Sequence, residues 1–225
     1  MNKSKDHRNS IHPMIYEKTR DGEVLYDVYS RLIKERIIFL AEPVDADVAT
    51  TVVATLLFLD TIQNKQPISL YINSPGGTVH DGLFTIYDAM HYVESPIRTV
   101  CIGEAYSAAA LILSAGTPGM RLAFANSYIM IHQLQIGDLS GKGTEIIREA
   151  KHIQSWNQRL FETLARHTGH SVTEIEKLCE EDTYFTAAQA KEFGLIDDVV
   201  VPKKDIPNLV TDKPQASKGK RRRRA

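Results

Sequence analysis

Residues 99–115 constrain the fold of this chain more than any other stretch. They begin as an apolar, β-prone run, which predicts a strand that turns at Gly103, and continue as small residues that predict a helix. Ser107 falls near the start of that helix, beside unpaired N–H groups and the positive end of the helix dipole. This position suits a nucleophile whose reaction generates an oxyanion. Taken alone, the simpler interpretation is that Ser107 only caps the helix.

Charge is distributed unevenly along a chain of ordinary globular composition. The 225 residues are 43% hydrophobic with a formal net charge of −1, which fits one domain with an appendage. Residues 201–225 hold nine Lys or Arg and two Asp; subtracting these from the totals of 27 and 28 leaves 18 basic and 26 acidic residues, a net charge of −8, in residues 1–200. The basic tail either binds nucleic acid or an anionic surface or, as we favour, is a solvated disordered end.

Several classes of protein are disfavoured by simple counts. The sequence contains no run of about 18 apolar residues, so it predicts no membrane-spanning helix. Residues 1–10 are polar and do not resemble a secretory signal. Cys101 and Cys179, the only cysteines, are predicted to be reduced thiols, which favours a cytoplasmic protein. The histidines have no spacing typical of a metal site, so we predict no metal.

Strands and helices alternate along the chain. Apolar runs predict strands at 37–40, 68–73, 122–124, 128–132 and 195–201, and apolar periodicity and capping signals predict helices ending near 35, 62, 90, 167, 179 and 194. This pattern predicts an α/β fold with a parallel-sheet core and crossover connections. We expect a disordered extension at 1–10, one domain at 11–201 and the basic tail at 202–225.

A serine nucleophile needs a base and a group that orients the base. His132 closes the predicted strand 128–132, on the face of Tyr128 and Met130 because side chains alternate along a strand. Asp182 lies in an acidic cluster between two predicted helices. Both positions are also ordinary places for solvated polar residues, and sequence spacing does not determine whether Ser107, His132 and Asp182 converge.

Four segments resemble the proteolytic subunit of the Clp (caseinolytic) protease, in the same order and spacing: residues 26–40, residues 71–77 with their Ser-Pro-Gly-Gly end, residues 86–90 and residues 130–133. The resemblance extends over residues 11–201. It implies a crotonase-like α/β domain with a protruding handle of helix and hairpin, here about Gln133 to Leu164.

The resemblance also implies the chemistry. Ser107 would be the nucleophile, His132 the base and Asp182 the orienting carboxylate of a serine endopeptidase. The backbone N–H groups of Gly77 and Ala108 would form the oxyanion hole. No cofactor is implied for this chain.

The implied partners are copies of the same chain and an ATPase. Subunits of the family form heptameric rings that stack in pairs around a chamber, and an ATP-driven unfoldase feeds unfolded chains into it. ATP is consumed by the unfoldase. The surface pocket that binds the unfoldase would be lined by Tyr71, Tyr92, Val100, Ile102, Leu122 and Phe124.

This chain departs from the family pattern at several places. Tyr106 replaces a small residue before the nucleophile, and Ala108-Ala109 replaces Met-Gly. One extra residue lies between Gly77 and Tyr87. Residues 134–137 lack the Pro and the second Gly of the handle, and Glu181 replaces an Arg that contacts the facing ring. These changes leave the three implied catalytic residues in place.

Two other functions remain open from the sequence. The chain could be a non-catalytic ring subunit, or a crotonase-type enzyme acting on acyl-CoA, because that fold also uses two backbone N–H groups. The Ser, His and Asp set and the Gly-Gly loop favour the peptidase.

Overall fold

The computed structural model describes residues 13–20, 22–62, 65–137 and 140–201. The predicted extension at 1–10 and the tail at 202–225 lie outside these residues. No helix in the described part is both long and apolar enough to cross a membrane.

The described residues form nine strands and seven helices. The strands are β1 (Met14–Thr19), β2 (Gly22–Asp27), β3 (Ile37–Leu40), β4 (Ile68–Ser74), β5 (Ile97–Tyr106), β6 (Arg121–Phe124), β7 (Tyr128–Ile131), β8 (Thr183–Thr186) and β9 (Asp198–Val200). The helices are α1 (Val28–Ile33), α2 (Ala46–Ile62), α3 (Phe84–Tyr92), α4 (Ala108–Ser114), α5 (Gly143–Thr168), α6 (Val172–Cys179) and α7 (Ala187–Phe193).

The main sheet is mostly parallel, as the sequence predicts. Its strands lie in the order β3-β4-β5-β6-β9, all parallel, while β7 pairs in parallel with β5 and antiparallel with β8. A separate antiparallel hairpin of β1 and β2 was not predicted, and β9 is shorter than the strand predicted at 195–201. The prediction of an α/β fold with a parallel-sheet core is confirmed.

Strand β5 does not turn at Gly103, and that prediction is wrong. Ile72 pairs with Cys101 but Ser74 pairs with Ala105, so β5 contains a bulge around Gly103, which has φ +100°. The side chain of Asn73 accepts the N–H of Glu104, which satisfies one backbone group that the bulge leaves unpaired. Before the bulge β5 pairs with β6, and beyond it β5 pairs with β7. The bulge therefore marks the point where β5 changes its neighbour from β6 to β7, and β5 continues beyond it to the residue before Ser107.

Helix α4 is buried along its whole length, from Ala108 to Ser114. Its three alanines occupy little space, so the helix packs closely against the sheet. The central core formed by α4, the inner face of the sheet and the apolar sides of α2 and α3 fixes the position of the turn at Ser107.

A π-helical turn, Val79–Leu83, precedes α3, where the sequence predicts one continuous helix. The turn lies within the segment that has one residue more than the family pattern. An extra residue in a helical turn is accommodated by the wider π geometry, which is often found beside functional sites. Only Thr78 separates the π-helical turn from Gly77, and the first residue of the turn, Val79, lines the cavity at the candidate site.

Helix α5 protrudes from the domain, as predicted for the handle. Its buried residues all lie between Leu160 and Ala165, whereas most of its first sixteen residues are exposed. The predicted hairpin is not observed: residues 133–137 and 140–142, the described part of that segment, form no strand. A strand needs a partner for its backbone N–H and C=O groups, and here the N–H of Leu134 bonds to the side chain of Asn157 instead.

Candidate active site

Ser107 is the residue between β5 and α4. Its backbone has φ 55° and ψ −122°, a conformation that a non-glycine residue rarely adopts and that often occurs at functional sites. The side chain makes no capping hydrogen bond. Instead, Ser107 Oγ lies 2.8 Å from Nε2 of His132. The interpretation of Ser107 as only a helix cap is therefore wrong.

Ser107 is aligned with β7 by its backbone. Its N–H donates to the carbonyl of Met130 at 2.8 Å, which continues the parallel pairing of Tyr106 with Met130. His132 follows β7 directly, so the end of β7 carries the imidazole to the serine. The imidazole is largely buried, with 13% of its side chain exposed.

Asp182 reaches His132 through the register of β7 and β8. Ile131 pairs with Thr183, and in an antiparallel ladder the next pair is His132 with Asp182. One carboxylate oxygen of Asp182 lies 3.2 Å from Nδ1 of His132. The structure therefore brings the three candidate residues into one chain of hydrogen bonds.

Strand β8 is the element of the candidate site that the sequence did not predict. Residues 180–185 read as a connection between two helices, yet Thr183–Thr186 pairs with all of β7. The residues Thr-Tyr-Phe-Thr are all β-prone, and this signal could have identified the strand. The strand is short and lies between helices, so its local pattern is weak.

The Gly76-Gly77 loop approaches the serine from the end of β4. A Cβ atom on Gly76 would lie 2.5 Å from the carbonyl of Tyr106, and one on Gly77 would lie 2.1 Å from the carbonyl of Val44. Only glycine fits such close backbone contacts. The two hydrogen bonds with Val44 use the carbonyl of Gly76 and the N–H of Thr78, which leaves the N–H of Gly77 on the opposite side of the chain.

Gly77 and Ala108 are the two candidate backbone donors for an oxyanion hole. Gly77 lines the cavity at Ser107, and Ala108 is the first residue of α4, where a backbone N–H has no acceptor within the helix. Two N–H groups beside one hydroxyl can stabilise an oxyanion that forms on a carbonyl attacked by that hydroxyl.

The cavity at Ser107 has a volume of about 320 Å³. Ser107, His132 and Asp182 all line it. The other side chains of the lining are mixed: those of Pro75, Val79, Met130, Leu134 and Leu160 are apolar, and those of Gln133 and Gln135 are polar. A cavity with this lining offers a ligand both apolar contacts and hydrogen bonds.

The family model for Clp protease matches residues 20–203. The chain belongs to the Clp protease family. It is therefore a Clp-type peptidase, and members of this family in general form oligomers and work with ATPases.

The residues expected to bind the ATPase lie mostly on one sheet face of this Clp-type peptidase. Tyr71, Val100 and Leu122 are consecutive partners across β4, β5 and β6, so they share a face, with Ile102 and Phe124 two residues further along. Tyr92 ends α3 and is 80% exposed, whereas Val100 is only 2% exposed. The side chain of Val100 is therefore covered by its neighbours and does not form part of the exposed surface of this face.

The remaining candidate groups of the peptidase do not form a second site. Cys101 and Cys179 are free and buried, and burial raises the pKa of their thiols to about 11 and about 12, so neither is a reactive thiolate. In the described residues, no cluster of three or more His, Cys, Asp or Glu side chains could hold a metal ion.

Proposed function

We propose that this Clp-type peptidase is a serine endopeptidase that uses Ser107, His132 and Asp182. The observation that carries the proposal is the chain of two hydrogen bonds, Ser107 Oγ to His132 Nε2 at 2.8 Å and His132 Nδ1 to Asp182 at 3.2 Å. A base within hydrogen-bonding distance activates the serine, and the carboxylate orients the base.

In the proposed reaction, Ser107 Oγ attacks the carbonyl carbon of a peptide bond while His132 Nε2 accepts the hydroxyl proton. The carbonyl electrons move to an oxyanion that Gly77 N–H and Ala108 N–H stabilise. The C–N bond then breaks, and His132 donates the proton to the leaving amine. Water attacks the acyl-enzyme with His132 again as base, which releases the acid and restores Ser107. Asp182 stabilises the imidazolium throughout, and no cofactor takes part.

We also propose that the subunit works inside a stacked pair of heptameric rings and receives unfolded chains from an AAA+ unfoldase, which hydrolyses the ATP. The family membership supports this partnership in general. The exposed aromatic residues Tyr92 and Phe124 support the proposed docking face, together with Tyr71, Ile102 and Leu122. We assign the peptidase to residues 11–201.

The decisive test is labelling with a fluorophosphonate probe, which reacts with activated serines. We expect wild type and the control Ser155→Ala, which changes an exposed serine on α5, to label and to cleave short peptides. Ser107→Ala should do neither, with a loss of turnover on the order of 10⁶. Absence of labelling in wild type would favour a non-catalytic ring subunit, and acyl-CoA turnover without peptide cleavage would favour a crotonase-type enzyme.

The unfoldase partnership is tested separately with a folded, tagged substrate. We expect the subunit alone to cleave short peptides but to leave the folded substrate intact until an AAA+ unfoldase and ATP are added. Degradation of the folded substrate by the subunit alone would contradict the proposed chamber.

A further inference from the structure

Two tyrosines contact each other one row away from the proposed His132–Asp182 pair. Tyr106 pairs with Met130, and Met130 pairs with Tyr184, so the three side chains lie in a row on one face of the sheet. The ring centroids of Tyr106 and Tyr184 are 5.8 Å apart with an interplanar angle of 86°, an edge-to-face contact. Since β5 and β8 are two strand spacings apart, roughly 9.6 Å, the rings lean towards each other across Met130.

The next row on this face holds the proposed catalytic pair. Thr183 pairs with Ile131, and Asp182 and His132 follow, two residues from Tyr184 and Met130 along their strands. Side chains two residues apart on a strand share a face. The tyrosine contact and the Asp182–His132 hydrogen bond are therefore neighbours on the same face.

Asp182 depends on β8 for its position. Within the described residues, β8 pairs with β7 only, and 44% of the Asp182 side chain is exposed. A slip of one residue between β7 and β8 would turn Asp182 to the opposite face. A four-residue edge strand has few main-chain hydrogen bonds to hold its register. Side-chain contacts between β8 and a more central strand therefore contribute a larger share of the stability of that register.

We propose that Tyr106 and Tyr184 are positioning residues, whose contact holds β8 in register so that Asp182 stays at Nδ1 of His132. The contact bridges β8 directly to β5, the strand that immediately precedes Ser107, and so fixes the carboxylate relative to the serine. This inference rests on the proposed function, because it assigns a role through Asp182. Tyr106 touches neither His132 nor Asp182 in the contacts described.

The test compares variants that remove the contact from either strand. Tyr184→Leu and Tyr106→Ala should each lower kcat for a short peptide about 3- to 10-fold with little change in KM, since an aromatic pair contributes about this factor to an equilibrium. Tyr184→Phe and Tyr106→Phe, which keep the rings, should stay within about twofold of wild type. Tyr128→Leu removes a half-exposed tyrosine from the same face one row further back and should have no effect.

The pH profile distinguishes positioning from general stability. A carboxylate at His132 favours the imidazolium, so misplaced Asp182 should move the acidic limb of kcat/KM to lower pH. The same shift should occur in Tyr184→Leu and Tyr106→Ala, and combining both should add little. In an Asp182→Asn background, Tyr184→Leu should leave the rate of fluorophosphonate labelling unchanged.

Three results would overturn the inference while the proposed function stands. The first is a folded variant that has reduced activity but an unchanged acidic limb of kcat/KM. The second is a loss of labelling rate in the Asp182→Asn background equal to the loss of activity in the wild-type background, and the third is full activity in both contact-removing variants. A thermal unfolding curve shows whether each variant is folded. If one of Tyr184→Leu and Tyr106→Ala does not fold, the kinetic measurements are made on the other. Wild-type protein that does not react with the fluorophosphonate probe would overturn the proposed function together with this inference.

Discussion

His132 lies opposite Asp182 because Ile131 pairs with Thr183 in the antiparallel register of β7 and β8. The hydrogen bond between their side chains, 3.2 Å from Nδ1 to a carboxylate oxygen, therefore results from strand pairing between segments that are 50 residues apart in the sequence. In the proposed reaction this bond holds the imidazole in the tautomer whose Nε2 accepts the proton of Ser107.

We expect Asp182→Asn to lower kcat by about 10⁴ with little change in fold, because the amide can favour the wrong imidazole tautomer. The measurement is peptide hydrolysis at neutral pH, with the Ser107→Ala variant as the background level. Glu180→Gln, an exposed neighbour at the end of α6, serves as a control for loss of negative charge. A decrease of less than about tenfold in Asp182→Asn would contradict the role proposed for this carboxylate.

Gly77→Ala tests the oxyanion hole. The new Cβ would lie 2.1 Å from the carbonyl oxygen and 2.6 Å from the nitrogen of Val44, so the loop has to move and its N–H moves with it. Loss of one oxyanion donor costs about 10² to 10³ in kcat, and we expect a loss in that range together with a lower melting temperature. Gly137→Ala is the matched control, since no atom lies within 4 Å of its added Cβ. Near-normal kcat in Gly77→Ala would contradict the assignment.

Glu181→Arg tests the stacking of rings. Glu180, Glu181 and Asp182 are consecutive and exposed, and facing copies would set like charges against one another if the rings stack as the resemblance implies. We expect a double ring that is weaker than in related enzymes and is favoured by moderate salt, which screens the repulsion. Glu181→Arg should shift the equilibrium to fourteen subunits at low salt and increase peptidase activity.

Sedimentation velocity across a range of salt concentrations measures that equilibrium. Glu176→Arg, which makes the same charge change at an exposed position of α6, controls for net charge. Wild type that is already fully double-ringed at low salt and low protein concentration would show that repulsion at Glu181 is not the controlling contact.

We expect the free energy of unfolding to decrease in mild acid because of the partly buried His167. Burial, with a contribution from nearby His91, lowers the pKa of His167 from 6.5 to about 4, and its Nε2 lies 3.0 Å from the hydroxyl of Tyr87. Between about pH 6.5 and 4 the unfolded state binds a proton that the folded state does not, so the stabilisation present above pH 6.5 is lost as the pH falls. Allowing for partial exposure, we expect a loss of about 1 to 2 kcal/mol in the free energy of unfolding.

Urea unfolding of wild type and His167→Gln at several pH values checks this. The glutamine keeps a hydrogen-bond partner for Tyr87 but does not titrate, so the variant should lose less stability over that range. His152→Gln, at an exposed position of α5, is the control. Equal pH dependence in wild type and His167→Gln would show that His167 is not the group responsible.

Local signals in the sequence predicted most of the helices and strands. Ser171 and Thr186 immediately precede α6 and α7 and form the capping boxes typical of helix starts. Gly169 and Gly194, both with positive φ, immediately follow α5 and α7. These signals act within one or two turns of chain, so the sequence displays them directly. The resemblance to the Clp protease family likewise indicated the three candidate catalytic residues.

Features that depend on distant partners were missed or misplaced. Gly103 read as a turn because glycine permits positive φ, but pairing with β4 and β7 makes it part of a bulge in a continuous strand. The extra residue before Tyr87 was visible in the sequence, but its accommodation as a π-helical turn depends on packing against the rest of the domain.

The sequence by itself determined the α/β class, the strand before Ser107, the buried small-residue helix after it and the glycines that allow close backbone contact. Only the tertiary structure decided that Ser107, His132 and Asp182 meet, because that geometry depends on the parallel register of β5 with β7 and the antiparallel register of β7 with β8. Register is a relation between strands separated by many residues, and a shift of one residue reverses every side chain. No local pattern of residues encodes it.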